Sequence, residues 1–172
     1  IGDTAFCQWL IQTATTHQKP ILVDPKGNCY KKYAGATLIK PNFQEFQEAL
    51  GCKVENDLDI SRLGFELKRQ LEIDTLLITR SEKGMVMLNQ DTREDIHTKV
   101  QDVIDVSGAG DTVIATLAWA YSNDVSIHLA AIYANLAAGI VVSKLGTADI
   151  NYQELKDVVL KQDVLSKTHK EL

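Results

Sequence analysis

The sequence predicts an α/β fold in which a mostly parallel sheet is flanked by helices and carries an antiparallel edge hairpin. Short Val/Ile/Leu runs, such as Ile21-Leu-Val23, Leu38-Ile39 and Leu76-Leu-Ile78, alternate with longer stretches of helical periodicity. Pro, Gly, Asn and Asp punctuate the ends of these runs. The turn Glu82-Lys-Gly84 separates two neighbouring short runs, as a tight hairpin connection does.

The first element expected is an amphipathic helix over 3–18, with Phe6, Leu10 and Ala14 on one stripe. It feeds directly into a strand at 20–24, stopped by Asp24-Pro25. After a loop rich in Lys and Gly, a strand at 36–40 ends at Pro41, and helices follow over 42–51 and 57–71. Strands are expected at 74–80, 84–89 and 95–101, then a glycine-bearing turn, then helices near 109–123, 126–144 and 151–161. The segment 126–144 is apolar nearly all round apart from Asn135, which predicts a buried helix. Residues 1–161 are read as one part of a domain and the polar stretch 162–172 as a tail or linker. The first residue is not Met and a helix begins almost at once, so the chain is expected to start inside a domain.

With 172 residues, 45% hydrophobic content and a net charge of -5, the chain can bury a sizeable core and offers no basic stripe for nucleic acid. No apolar run reaches the roughly 20 residues of a membrane span, and the start carries no leader pattern, so a cytoplasmic protein is expected. Cys7, Cys29 and Cys52 lack C-x-x-C spacing, and His17, His97, His128 and His169 lack metal spacing. The P-loop, G-x-G-x-x-G and G-x-S-x-G patterns are all missing.

The most informative segment is Asp105-Val-Ser-Gly-Ala-Gly-Asp111-Thr, running into the apolar stretch Val113 to Tyr121. The first amides of a helix have no intrahelical partner, so Ala109, Gly110 and Asp111 can present N–H groups to an anion where the helix dipole also favours negative charge. A carboxylate beside such a cradle suits a base that takes a proton from an attacking hydroxyl, which is the chemistry of phosphoryl transfer. A structural alternative makes Ser107 an N-cap, Gly108 and Gly110 a tight loop, and Asp111 an acid favoured by the dipole.

In open α/β sheets ligands bind beyond the carboxyl ends of strands, and four such edges carry polar groups expected to converge on one rim. Asn42-Phe43-Gln44-Glu45 places an amide and a carboxylate three residues apart on a helix start, able to serve Mg²⁺ or simply to form a capping box. The turn Thr79-Arg-Ser81-Glu-Lys-Gly84 offers hydroxyls and amides for nucleotide phosphates, or is only a hairpin turn. Asp24-Pro-Lys26 is either a charge pair near phosphates or a strand terminator. Asn135 is either a satisfied core amide or a group facing a ligand ring.

In order and spacing, Asn42-x-x-Glu45, the Thr79 to Gly84 turn and Asp105-x-x-Gly-Ala-Gly-Asp111 resemble the ribokinase-like (PfkB) carbohydrate kinases. The segments Val23-Asp-Pro-Lys-Gly, Tyr33-x-Gly-Ala-Thr-Leu-Ile-Lys-Pro-Asn, Thr79-Arg-Ser-Glu-Lys-Gly-Met and Asn135-x-Ala-Ala-Gly-x-Val-Val-x-Lys-Leu-Gly-Thr147 are similar to the heptose 7-phosphate kinases of that family. The resemblance implies a ribokinase-like fold, here the C-terminal nucleotide-binding part, with ATP and Mg²⁺ as cofactors. It implies a sugar phosphate as the small-molecule partner, phosphorylated at its anomeric hydroxyl on the path to ADP-heptose, and a homodimeric parent protein. It maps Asp111 to the catalytic base, Gly108, Ala109 and Gly110 to the anion hole, and Asn42 through Glu45 to the nucleotide and magnesium site. It further maps Thr79, Ser81 and Gly84 to the phosphate-contacting turn, and Asn135 with Gly139 to the adenine pocket. Ser81 stands where many members have glycine.

Overall fold

The structure, a computed structural model, describes residues 3–98, 104–146 and 148–168. The chain divides into two compact units, Ile1–His97 and Thr98–Leu172.

The first unit runs α1 (Thr4–Thr16), β1 (Leu22–Val23), a 3-10 turn (Tyr30–Tyr33), β2 (Leu38–Ile39), α2 (Phe43–Leu50) and α3 (Asp57–Gln70). It continues through β3 (Thr75–Thr79), a second 3-10 turn (Ser81–Lys83), β4 (Met85–Asn89) and β5 (Thr92–Ile96). The strands form one sheet in the order β1-β2-β3-β4-β5, in which β1, β2 and β3 are parallel and β4 and β5 antiparallel. Leu76 and Ile78 of β3 and Val86 and Leu88 of β4 join Phe46 of α2 and Ile60 of α3 in one cluster. Leu77, Met85 and Met87 alternate with them and are equally buried, which is why these strands read as continuous apolar runs. Helix α3 lies close to the sheet because Gly64 faces the Leu88 side chain, leaving no room for a Cβ.

Two expectations shift in this unit. On α1 the inward residues are Cys7 and Ile11, one position on from the expected stripe, and Phe6 and Leu10 are exposed. Cys7 and Ile11 cluster with Tyr30, Tyr33 and Ala36, so the unforeseen 3-10 turn sets the rotation of the helix. Strand β5 occupies Thr92–Ile96 and not 95–101, because a two-residue turn at Gln90 and Asp91 places Thr92 opposite Asn89. Its residues Arg93, Glu94 and Asp95 are charged, as suits an edge strand, and this hid it from an apolar pattern. Residues 99–101 of the expected strand lie outside the described residues.

The second unit contains α4 (Ala109–Ser122), α5 (Ile127–Val142) and α6 (Tyr152–Thr168). Helices α4 and α5 pack on each other, burying Val113, Leu117 and Ala120 of α4 and Ala130, Ala131, Ala134, Ala137 and Val141 of α5. The alanines allow close approach of the two axes. Helix α6 extends to Thr168, so 162–168, expected as tail, continues the helix; 169–172 and Thr147 lie outside the described residues.

Candidate functional site

Two sets of expected residues gather, each within its own unit. In the first, the ends of β2 and β3 are stitched together beyond the regular ladder. Asn42 bridges Thr79 in parallel register, and the Thr79 N–H donates to the Pro41 carbonyl at 3.0 Å. Asn42 caps α2: its Oδ1 accepts from the Glu45 N–H at 2.8 Å, and Glu45 Oε2 accepts from the Asn42 N–H at 2.8 Å. This is the capping box foreseen for Asn42 and Glu45, and it fixes both side chains.

Beside it lies a groove of about 470 Å³ lined by Asn42, Phe43 and Gln44 and by the turn from Thr79 to Lys83. Glu45 and Gly84 are not among the residues lining it. Gly84 instead closes the turn at φ 76°, its carbonyl accepting from the Arg80 N–H at 2.7 Å. Ser81 sits at φ 51°, a left-handed conformation that favours glycine. Arg80, which the sequence reading left without a role, lies over the Phe43 ring at 5.7 Å and pairs with Asp57 Oδ1 at 3.0 Å. A cation beside an aromatic and an acid was the available signal.

A chain of charges joins the ends of β1 and β2 to the start of α2. Lys40, 3% exposed, places Nζ 2.8 Å from Asp24 Oδ1; Lys26 Nζ is 3.0 Å from Asp24 Oδ2 and 3.8 Å from Glu45 Oε1. Burial pushes the Asp24 carboxyl up, but the hydrogen bonds and charges of Lys40 and then Lys26 outweigh it and hold it below its usual value. Burial, and after it the charge of Glu45, raises the Tyr30 phenol well above its ordinary value. The buried Lys40 was not foreseen, because a lysine at a strand end reads as solvent-exposed.

In the second unit Gly108, at φ 80°, is the N-cap of α4 and makes no side-chain capping bond. Ser107 is therefore not the cap. Its N–H instead donates to Asp105 Oδ1 at 2.9 Å, and this bond, followed by one from the Ser107 hydroxyl, keeps the Asp105 carboxyl below its usual value. The Ile104 and Asp105 amides both donate to the Val142 carbonyl at the end of α5, which anchors the loop. Asp111 is exposed in the first turn of α4 and lines a cavity of about 500 Å³ with Gly108, Thr112, Thr116, Trp119 and Tyr152 among others. Ala109 and Gly110 form the same turn.

Asn135 and Gly139 are buried in α5 and do not line that cavity. Among the described residues every fully buried side-chain nitrogen and oxygen has a hydrogen-bond partner. Among the described residues no cluster of three or more His, Cys, Asp or Glu is placed to hold a metal ion, and no helix is long and apolar enough to cross a membrane.

The family profile described as pfkB family carbohydrate kinase matches residues 3–154. The Bifunctional protein HldE of Hydrogenovibrio crunogenus is 44% identical over 157 residues, covering 91% of this chain and 32% of that protein. That of Hahella chejuensis is 47% identical over 158 residues, covering 90% and 32%. The chain thus spans about a third of the length of these curated relatives. Among solved structures, Arabidopsis thaliana ribokinase complexed with ribose and ATP superposes with a TM-score of 0.79 at 19% identity, covering 90% of this chain and 52% of that one. Phosphofructokinase-2 from Escherichia coli in complex with potassium gives 0.80 at 14% identity, covering 90% and 51%. These likenesses show a ribokinase-like fold over part of the domain.

Proposed function

Because the chain belongs to the pfkB family of carbohydrate kinases, we propose that it is the C-terminal, nucleotide-binding part of an ATP-dependent heptose kinase. The reaction is transfer of the γ-phosphate of ATP to the anomeric hydroxyl of D-glycero-β-D-manno-heptose 7-phosphate. The product is the 1,7-bisphosphate on the path to ADP-heptose and the lipopolysaccharide core. The relatives named Bifunctional protein HldE support this substrate, and the parent enzyme is read as a homodimer acting in the cytoplasm.

One observation carries the reading. Asp111 stands in the first turn of a helix that begins on a left-handed glycine with no capping side chain, at the wall of a cavity. In the proposed step the anomeric oxygen attacks the γ-phosphorus, its proton passes to Asp111, and the bond from that phosphorus to the β–γ bridging oxygen breaks to release ADP. Backbone amides at Gly108, Ala109 and Gly110 stabilise charge on the transferred group. The Asn42 to Gln44 and Thr79 to Ser81 groove takes the nucleotide phosphates, with Gly84 shaping its turn, and Asn135 and Gly139 shape the wall against the adenine from within the core.

Mg²⁺ fits a site of this composition, since it takes oxygen ligands, keeps several waters and needs only one or two carboxylates beside the phosphates. Glu45 and Asn42 would hold it, and when bound it neutralises phosphate charge. Asp111→Asn tests the reading: turnover should fall by about 10²-fold or more while ATP affinity stays unchanged. Retained turnover would remove Asp111 from the chemistry.

A further inference from the structure

The charge cluster of Asp24, Lys26, Lys40 and Glu45 is built more rigidly than its exposed member needs. Lys26 has a side chain 72% exposed, yet it is tied at its backbone and at its ammonium. Its N–H donates to the Tyr33 hydroxyl at 3.2 Å, while Nζ meets Asp24 and approaches Glu45. Tyr30, in the same buried turn, donates its hydroxyl to the Glu45 carbonyl at 3.2 Å, so the turn joins the Lys26 loop to the start of α2. Underneath, buried Lys40 holds the other oxygen of Asp24.

A buried ammonium facing a carboxylate adds little stability compared with apolar residues of the same size, because desolvating the two ions offsets their attraction. What the pair does here is fix orientation. With Oδ1 engaged by Lys40, Asp24 presents Oδ2 outward, and a lysine that would otherwise move on a flexible stem is fixed at the carboxyl edge of the parallel strands. The four charges of Lys26, Lys40, Asp24 and Glu45 cancel, so an incoming anion meets no net repulsion from the cluster while it contacts the exposed ammonium.

We propose that Lys26 contacts a phosphate group of a bound ligand, and that Asp24 and Lys40 are positioning residues that hold it there. The inference rests on the kinase reading above, which supplies two phosphate sources: the terminal phosphate of ATP and the 7-phosphate of the sugar. Lys26→Gln in the enzyme separates them, and the exposure of the side chain leaves the fold intact. Calorimetric titration with ATP and with AMP reads the nucleotide source, and the KM for the sugar phosphate reads the other.

A roughly tenfold loss of ATP affinity with AMP unchanged assigns the contact to the nucleotide. A roughly tenfold rise in KM for the sugar phosphate with ATP affinity unchanged assigns it to the acceptor. Lys26→Arg should recover part of either loss. Asp24→Ala should reproduce the Lys26→Gln effect even though Lys26 is present, and Asp24→Ala with unaltered binding would overturn the positioning roles. Unchanged ATP affinity together with unchanged sugar-phosphate KM in Lys26→Gln would overturn the proposal while wild-type ATP binding stands. Failure of the wild-type protein to bind ATP would instead overturn the kinase reading itself.

Discussion

Replacing Lys40 by Met keeps the length of its stem and removes the ammonium that faces Asp24 at 2.8 Å. The side chain of Asp24 is 19% exposed, and in the wild type Lys40 and Lys26 hold it below its unfolded value of 3.8 against the effect of burial. A carboxylate with a depressed folded pKa contributes stability that is present above its unfolded pKa and is lost as pH falls through the folded one. Without Lys40, burial is opposed only by Lys26, whose exposed charge is screened, so the folded pKa of Asp24 rises above the unfolded value and the sign reverses. An ionised Asp24 then destabilises the variant at neutral pH.

Breaking a fully buried pair costs about 3–5 kcal/mol; partial exposure and the remaining lysine reduce this to about 2–3 kcal/mol here. For a protein of this size that corresponds to a fall in Tm of roughly 5–10 °C. Urea unfolding of wild type and Lys40→Met near pH 7 and again near pH 4 measures the gap. It should narrow at the acid end, where the variant's Asp24 takes up a proton and the wild type begins to lose its pair. An equal gap at both pH values would show that the loss is one of packing and would refute the electrostatic argument.

Glu45→Gln preserves the capping box, since glutamine can accept from the Asn42 N–H, but removes the charge; nucleotide binding should lose its Mg²⁺ dependence while thermal stability changes by less than about 1 kcal/mol. An unaltered Mg²⁺ titration would refute the metal role. Gly64→Val forces a side chain into fully buried Leu88 and should lower stability by about 1–3 kcal/mol, read as a shift in urea midpoint at constant slope. Ser81→Gly relieves a left-handed residue but loosens the unfolded chain, so its stability should move by no more than about 1 kcal/mol in either direction; a larger loss would mean that the serine side chain holds the turn.

The fold was legible where period and punctuation agree. Proline after Lys40, the Asn42 cap and Gly51 at the far end delimit α2 without ambiguity, and the apolar runs of β3 and β4 mark strands buried on both faces. Gly108 and Asp111 announced the start of α4, although the cap proved to be the glycine and not Ser107. The features that escaped depend on tertiary register. The turn at Tyr30–Tyr33 is too short to carry a period, yet it rotates α1 and anchors Lys26. The Lys40 to Asp24 pair exists because β1 and β2 lie side by side, which local sequence does not encode. Gln90 and Asp91 likewise set β5 by turn geometry and not by hydrophobicity.

Whether this chain holds the nucleotide part of a kinase site is decided by calorimetric titration with ATP in the presence and absence of Mg²⁺. Saturable binding that strengthens when Mg²⁺ is added and weakens when Glu45 loses its charge is the expected result. Absence of ATP binding under both conditions would contradict it.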